Sequence, residues 1–168
     1  MKNLKTLLLI AVFTLGVAGV ANAQKVGHIN FEKLVAEMPQ TKALKVTMEK
    51  LSKTYQDEIV GMQKKIEATQ KKYVAESKTQ TQTTNDTRAK ELQGEVQKLE
   101  QAKQFAYQDM QKRQNDGLNP IIEKAQKAIE DVAAAKGILY VLDASMGKGL
   151  LVKKGEDIYN AVKTKLGF

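Results

Sequence analysis

Residues 77–90, SKTQTQTTNDTRAK, contain no large apolar side chain and separate two long segments rich in Lys, Glu, Gln and Ala. In both segments apolar side chains recur every three or four residues, a spacing typical of long helices or coiled coil. A polar stretch between these two segments would interrupt the apolar seam of a continuous coiled coil. We therefore predict that the chain reverses here and forms an antiparallel helical hairpin over residues 41–135, called the arm below. One continuous parallel coiled coil is the alternative.

The hairpin interpretation predicts which residues face each other, because the residue numbers of antiparallel partners have a constant sum. The reversal is then centred near Gln82 and Thr83, within the polar stretch. Each limb of the hairpin spans about 60 Å at about 1.5 Å per residue. Five apolar pairs share one sum: Tyr73 with Leu92, Ile66 with Leu99, Ile59 with Ala106, Tyr55 with Met110, and Leu44 with Ile121.

The two ends of the chain have a mixed composition that predicts short strands and helices. Residues 25–29 are predicted to form a strand, and Asn30 to cap a helix that ends at Glu37. Residues 138–143 and 150–153 predict two further strands, joined by a glycine turn, before a closing helix over residues 156–166. The predicted fold class is α+β: three short strands and short helices form a small β body (24–40 and 136–168) that carries the arm.

The predicted strand at residues 138–142 is apolar on both faces, whereas a strand with one wet face would alternate. The other predicted strands and short helices of the body are too few to cover both faces. We therefore expect copies of the chain to associate through these strands. The predicted oligomerisation residues are Val26, His28, Ile138, Tyr140, Leu142, Leu150 and Val152.

The first 23 residues have the pattern of a secretory signal peptide. Lys2 and Lys5 precede an uncharged apolar stretch, and Ala21-Asn22-Ala23 is a cleavage site of the A-x-A type. We expect cleavage after Ala23, export of the chain, and one domain over residues 24–168. The formal charge of the whole chain is +8, and removal of the two lysines leaves +6. A basic surface suits anionic partners.

The residues that most enzymes and metal sites require are scarce. The chain has one His, no Cys and no G-x-x-x-x-G-K-[ST] phosphate-binding motif, so we expect neither a cofactor nor a metal, and no enzyme. The carboxylates are spread along helices near lysines, which favours salt bridges over acid–base pairs. Aromatic residues are only 5% of the chain and Trp is absent, so nucleic acid is not an expected partner.

The mature sequence resembles the Skp (OmpH-like) family of periplasmic chaperones. The resemblance rests on the passage KVGHINFEKL at residues 25–34, followed by Met38-Pro39, and on GILYVLDA at residues 137–144, followed by Leu150-Leu151-Val152 and Asp157-Ile158. It implies a homotrimer whose end strands build the body and whose arms surround a cavity. It also implies ATP-independent holding of unfolded outer-membrane β-barrel proteins in the periplasm, and for some members lipopolysaccharide binding.

The arm offers both charge and scattered apolar residues for such a role. The residues predicted to contact unfolded clients are Met62, Lys64, Lys65, Lys71, Lys72, Phe105, Tyr107 and Met110. Two other functions stay open at this point. One is a basic coiled-coil module that binds anionic envelope components, namely lipopolysaccharide or a lipid surface. The other is a structural coiled-coil spacer without a ligand.

Overall fold

The computed structural model of the protein describes residues 25–168, so the predicted signal peptide and its cleavage site lie outside the described residues. Within this range no helix is both long and apolar enough to cross a membrane. Four helices and three strands follow in chain order as β1 (Val26–Ile29), α1 (Phe31–Glu37), α2 (Pro39–Glu76), α3 (Gln82–Lys136), β2 (Tyr140–Asp143), β3 (Glu156–Asp157) and α4 (Tyr159–Leu166).

Helices α2 and α3 form the predicted antiparallel hairpin. They contain 38 and 55 residues, which corresponds to lengths of about 57 and 80 Å at about 1.5 Å per residue. The reversal is a 3-10 turn at Ser77–Thr79, after which Thr81 caps α3 by accepting a hydrogen bond from the Thr84 amide at 3.2 Å. This reversal, a few residues before the predicted centre, excludes the single continuous coiled coil.

The predicted pairing of the two limbs is only approximately right. Near the tip, the Tyr73 hydroxyl donates to Glu91, one residue before its predicted partner Leu92. At the base, Leu44 lies against Gly117, one helical turn before its predicted partner Ile121. Glycine at position 117 leaves the space that the Leu44 side chain occupies, and Leu44 also packs against the core cluster that contains Ile121.

The seam between the two limbs is thin. No residue of α2 is buried in the single chain, and in α3 only Leu99 and Ala106 are buried before the helix reaches the body at Ile121. Burial of apolar area is the main stabilising term in such a hairpin, at about 25 cal/mol per Å². An arm that buries so few side chains opens locally at low cost compared with the body.

The body contains a parallel three-stranded sheet in the order β2-β1-β3. In it Val26 pairs with Tyr140 and Gly27 with Glu156. The prediction of a strand at residues 150–153 is wrong, because this segment has no sheet partner among residues 25–168 and the third strand is Glu156–Asp157 instead. The closing helix consequently begins later than predicted, at Tyr159, whose amide donates to the Asp157 carboxylate.

The core of the body lies between the sheet, α1, α4 and the lower end of α3. Its most completely buried large side chains are Leu34, Met38, Ile158 and Val162. Helix α3 contributes a stripe of Ile121, Ala125, Ala128 and Val132. Gly137 ends this helix at a φ of 65°, a left-handed conformation that glycine adopts without strain. The core therefore fixes the base of the arm relative to the sheet.

Candidate functional site: the arm wall and the body face

Two aromatic side chains project from the middle of an otherwise charged arm. Phe105 and Tyr107 are 61% and 64% exposed, although each is a large apolar residue. The ring of Phe105 meets the ring of Tyr55 edge-on, with 6.2 Å between centroids. The Tyr107 hydroxyl accepts a hydrogen bond from the Gln111 amide at 2.6 Å. Each ring therefore contacts one neighbouring side chain while more than half of the residue stays exposed.

A shallow groove runs beside the Tyr107 ring, between the two limbs of the arm. Its volume is about 370 Å³, and a second groove of about 640 Å³ continues from it toward the body. Met110 and Ser52 line both grooves. We call the apolar lining and the adjacent Phe105 the arm wall; its members are Tyr55, Ile59, Val60, Phe105, Tyr107 and Met110. Such shallow, open grooves suit an extended polypeptide segment better than a compact small ligand.

A polar cluster joins the two limbs next to the arm wall. The Tyr55 hydroxyl donates to Asp109 at 2.7 Å, and Arg113 Nε donates to the same carboxylate at 2.6 Å. Hydrogen bonding by Tyr55, and then by Arg113, lowers the pKa of the Asp109 carboxyl. The bond to Asp109 in turn raises the pKa of Tyr55. This cluster holds the limbs together where the apolar seam alone is thin.

A second cluster of the same kind lies close to the tip. Arg88 donates to Glu76 across the hairpin at 2.6 Å, and its guanidinium lies over the Tyr73 ring at 4.5 Å. The bond from Tyr73 to Glu91 raises the pKa of that tyrosine. Sequence reasoning missed both clusters, because it assigned the carboxylates to salt bridges with nearby lysines along each helix and not to partners on the other limb. The signal was present: each tyrosine has a carboxylate beside its predicted apolar partner.

The structure places the predicted client-contacting residues on different parts of the arm. Tyr107 and Met110 line the groove of the arm wall, and Phe105 contacts Tyr55 of this wall from outside the groove. Met62 is half-buried farther along α2. Of the four lysines, Lys65 lies 3.6 Å from Glu95, whereas Lys64, Lys71 and Lys72 have no ion-pair partner among residues 25–168. The distal half of the arm therefore presents free positive charge.

The second surface is the sheet face that points away from α3, together with the loop that follows β2. Val26, Tyr140 and Leu142 share this face and are 38%, 60% and 43% exposed. In the loop, Val152 is 63% exposed and Leu150 is half-buried. We call Val26, Tyr140 and Leu142 the body face. Adjoining exposed apolar side chains on a sheet face make this surface a candidate interaction site.

The two remaining predicted oligomerisation residues lie inside the single chain. Ile138 belongs to the core of the body. His28 is buried in the central strand, with Nε2 3.8 Å from the Asp157 carboxylate and with no hydrogen-bond partner for Nδ1. In the described part of the chain, residues 25–168, no group of His, Cys, Asp and Glu is arranged to hold a metal ion. Both residues support the strands that carry the body face.

The comparison with known proteins agrees with this architecture. The family model described as outer membrane protein (OmpH-like) matches residues 25–166. The chain belongs to the OmpH-like family. The family resemblance stated from the sequence is therefore confirmed, and this is a family of chaperones, not of enzymes.

Two relatives show how far the likeness extends. The OmpH-like chain is 23% identical to the chaperone protein Skp of Pectobacterium atrosepticum over 128 residues, which cover 76% of this chain and 78% of the relative. The crystal structure of an OmpH-like outer membrane chaperone from Caulobacter crescentus CB15 superimposes with a TM-score of 0.74 at 18% identity. That match covers 84% of this chain and 82% of the other, and it shows a shared fold.

Proposed function

We propose that the protein is an ATP-independent periplasmic holdase that binds unfolded outer-membrane β-barrel proteins between the arms of a homotrimer. Membership of the OmpH-like family supports the chaperone role. The observation that carries the proposal is the arm wall, where Phe105 and Tyr107 stay mostly exposed on a long charged hairpin. Unfolded membrane strands offer apolar side chains that a soluble, folded protein keeps inside.

The physical properties of the arm suit transient holding of many sequences. Free lysines such as Lys64 and Lys71 attract acidic segments over distances up to about 8 Å at physiological salt. The arm wall then contributes many weak apolar contacts, whose combined strength on several arms exceeds that of any one of them. A thin seam allows the limbs to adjust to clients of different size.

Assembly and location are parts of the same proposal. The exposed body face favours self-association, and three copies would place three arms around one cavity. The signal-peptide pattern of residues 1–23 favours export, with cleavage after Ala23. The free lysines also favour a second activity, namely binding of anionic envelope components such as lipopolysaccharide or a lipid surface.

The direct test is suppression of aggregation. An unfolded β-barrel protein is diluted from urea into buffer at low and at physiological salt, with and without the chain, and light scattering is recorded. A holdase suppresses scattering at both salt concentrations. A purely basic binder loses its effect at the higher salt, and a spacer has none at either; these two results would each overturn the proposal.

A pair of variants with matched exposure locates the client surface. Phe105→Ser with Tyr107→Ser removes the exposed rings of the arm wall, whereas Val74→Ser removes an apolar side chain of similar exposure, 67%, near the arm tip. We expect the double variant to suppress aggregation less well and the Val74 variant to behave as the unchanged protein. An equal loss of aggregation suppression in both variants would mean that apolar residues anywhere on the arm contribute equally to client binding.

A further inference from the structure

Methionine provides all the sulfur of this chain, because the sequence contains no Cys. The methionines among residues 25–168 have very different surroundings. Met38 is completely buried in the core of the body, whereas Met146 is 94% exposed in the loop after β2. Met48 and Met110 are half-buried on the arm. A thioether reacts with an oxidant in solution only where the oxidant reaches it, so these side chains differ in their susceptibility to oxidation.

Met48 and Met110 line the same open groove from opposite limbs of the arm. The groove has a volume of about 640 Å³, and α2 contributes Met48 while α3 contributes Met110. Met110 also lines the smaller groove beside Tyr107, so one of the two thioethers belongs to the arm wall itself. We call Met48 and Met110 the methionine pair. An open groove of this size admits a molecule as small as hydrogen peroxide to both sulfur atoms.

Polar side chains that can hydrogen-bond to an oxidised methionine lie in the same place. Ser52 and Gln56 line both grooves together with Met110. A thioether sulfur accepts hydrogen bonds only weakly, whereas oxidation to the sulfoxide makes the side chain polar. The Ser52 hydroxyl and the Gln56 amide supply donors for the added oxygen. The grooves can therefore keep the oxidised side chains in place while their lining becomes polar.

We propose that the methionine pair is an oxidation site, at which hydrogen peroxide converts both thioethers to sulfoxides and weakens the hold of the arm on an unfolded client. In each reaction the sulfur lone pair attacks one peroxide oxygen, an S–O bond forms and the O–O bond breaks. The sulfur loses two electrons, and the departing hydroxide takes the proton from the transferred oxygen to give water. This inference rests on the proposed function and names a modification that regulates it.

Oxidation of the methionine pair acts on the retention of a client and not on its capture. A sulfoxide carries no net charge, so the free lysines that attract acidic segments are unaffected. Retention depends on apolar contacts, and a polar oxygen on Met48 or Met110 has to lose its water whenever an apolar client side chain covers it. The change is reversible, because a dithiol reductant acting through methionine sulfoxide reductases returns the thioether and releases water.

Leucine variants test the site, since leucine replaces methionine at nearly constant volume and has no sulfur to oxidise. One variant carries Met48→Leu with Met110→Leu. The matched control carries Met62→Leu with Met146→Leu, which removes two accessible thioethers that line neither groove. Each protein is treated with hydrogen peroxide, catalase removes the excess, and mass spectrometry of peptides measures oxidation at every methionine. The dose stays below that at which the buried Met38 reacts, so that the core of the body is not damaged.

Suppression of light scattering by an unfolded β-barrel protein is then measured at physiological salt. Each treated protein is compared with its own untreated sample, so that any effect of the substitutions themselves cancels. We expect the chain concentration that halves scattering to rise about tenfold in the unchanged protein and in the matched control, and less than about twofold in Met48→Leu with Met110→Leu. Methionine sulfoxide reductases of both stereospecificities, with dithiothreitol, are expected to restore the treated unchanged protein.

Four results would overturn the inference. The first is oxidation of Met48 and Met110 no faster than that of Met38, and the second is full suppression by protein in which the methionine pair is completely oxidised. The third is an equal loss in the leucine variant and its matched control. The fourth is a loss of helix or of assembly in the treated protein, by circular dichroism or sedimentation, which would assign the effect to unfolding. If the untreated, unchanged protein does not suppress scattering, the proposed function fails and the inference falls with it.

Discussion

The close approach of Leu44 to Gly117 permits a prediction whose sign follows from the structure. A Cβ atom added at Gly117 would lie 2.5 Å from Leu44 Cδ1, 2.9 Å from Cδ2 and 3.3 Å from Cγ. Both methyl groups and the branch point are too close, so an exchange of the two methyl positions does not relieve the contact. The Leu44 side chain or the helix axis has to move.

Two contributions of opposite sign determine how Gly117→Ala changes the free energy of unfolding. Alanine in a helix interior is favoured over glycine by about 1 kcal/mol. Overpacking of a close contact costs about 1–3 kcal/mol. The net change is therefore between zero and a destabilisation of about 2 kcal/mol. At Gly61 and Gly94 an added Cβ has no atom within 4 Å, so alanine there is expected to stabilise the arm by about 0.5–1 kcal/mol.

The measurement is urea unfolding followed by circular dichroism at fixed protein concentration, because the stability of an oligomer depends on concentration. Gly61→Ala and Gly94→Ala are the matched controls. We expect the free energy of unfolding to rise in both controls and to stay unchanged or fall in Gly117→Ala. If all three variants are stabilised equally, Leu44 and Gly117 are not in contact and the pairing of the limbs at the base is wrong.

Four further predictions concern function and assembly. Phe105→Ala with Tyr107→Ala is expected to speed release of a labelled unfolded barrel protein in stopped-flow experiments and to leave the trimer intact, since desolvated contacts govern dissociation. Leu142→Glu is expected to leave the single chain folded but to dissociate the trimer in sedimentation equilibrium, because an unpaired buried charge costs several kcal/mol; a stable trimer would contradict this. Tyr55→Phe is expected to speed amide hydrogen exchange in the middle of the arm at pH 7. The hydrogen bonds that lower the pKa of Asp109 stabilise the arm at pH values above the ordinary carboxyl pKa of about 4, and this stabilisation is lost as the pH falls through the pKa of Asp109 in the folded protein. The difference in exchange rate between the variant and the unchanged protein should therefore shrink in acid. Replacement of four lysines by glutamine is expected to slow client capture and to reduce the salt dependence of the capture rate. These lysines are Lys64, Lys65, Lys71 and Lys72.

The sequence predicts those parts of the fold that local pattern determines. The polar stretch at residues 77–90 places the reversal within a few residues, and Asn30 caps α1 as predicted, with its side chain accepting from the Lys33 amide at 2.8 Å. The helix at the C-terminus likewise buries Val162. Each of these features depends on neighbours in the sequence and requires no knowledge of distant contacts.

The sequence-based predictions fail where contacts between residues distant in the sequence determine the structure. At the base of the arm, Leu44 occupies the space that glycine leaves at position 117, one helical turn before its predicted partner Ile121, and apolar spacing alone does not reveal this contact. The segment at residues 150–153 has the pattern of a strand, but a strand also needs an edge, and local pattern cannot say which edge is available. The candidate site shows the same limit. The positions of Phe105 and Tyr107 off the apolar seam pointed to them in the sequence, and both are exposed. The bond from Tyr55 to Asp109 could be found only from the register of the hairpin.

The central claim is that the arms hold an unfolded membrane protein in solution. An unfolded β-barrel protein is diluted from urea into physiological salt together with the chain, and the mixture is separated by size-exclusion chromatography with light scattering to give the mass of each species. We predict a soluble complex with the mass of three copies of the chain and one client. Precipitated client beside chain that elutes alone would contradict the account.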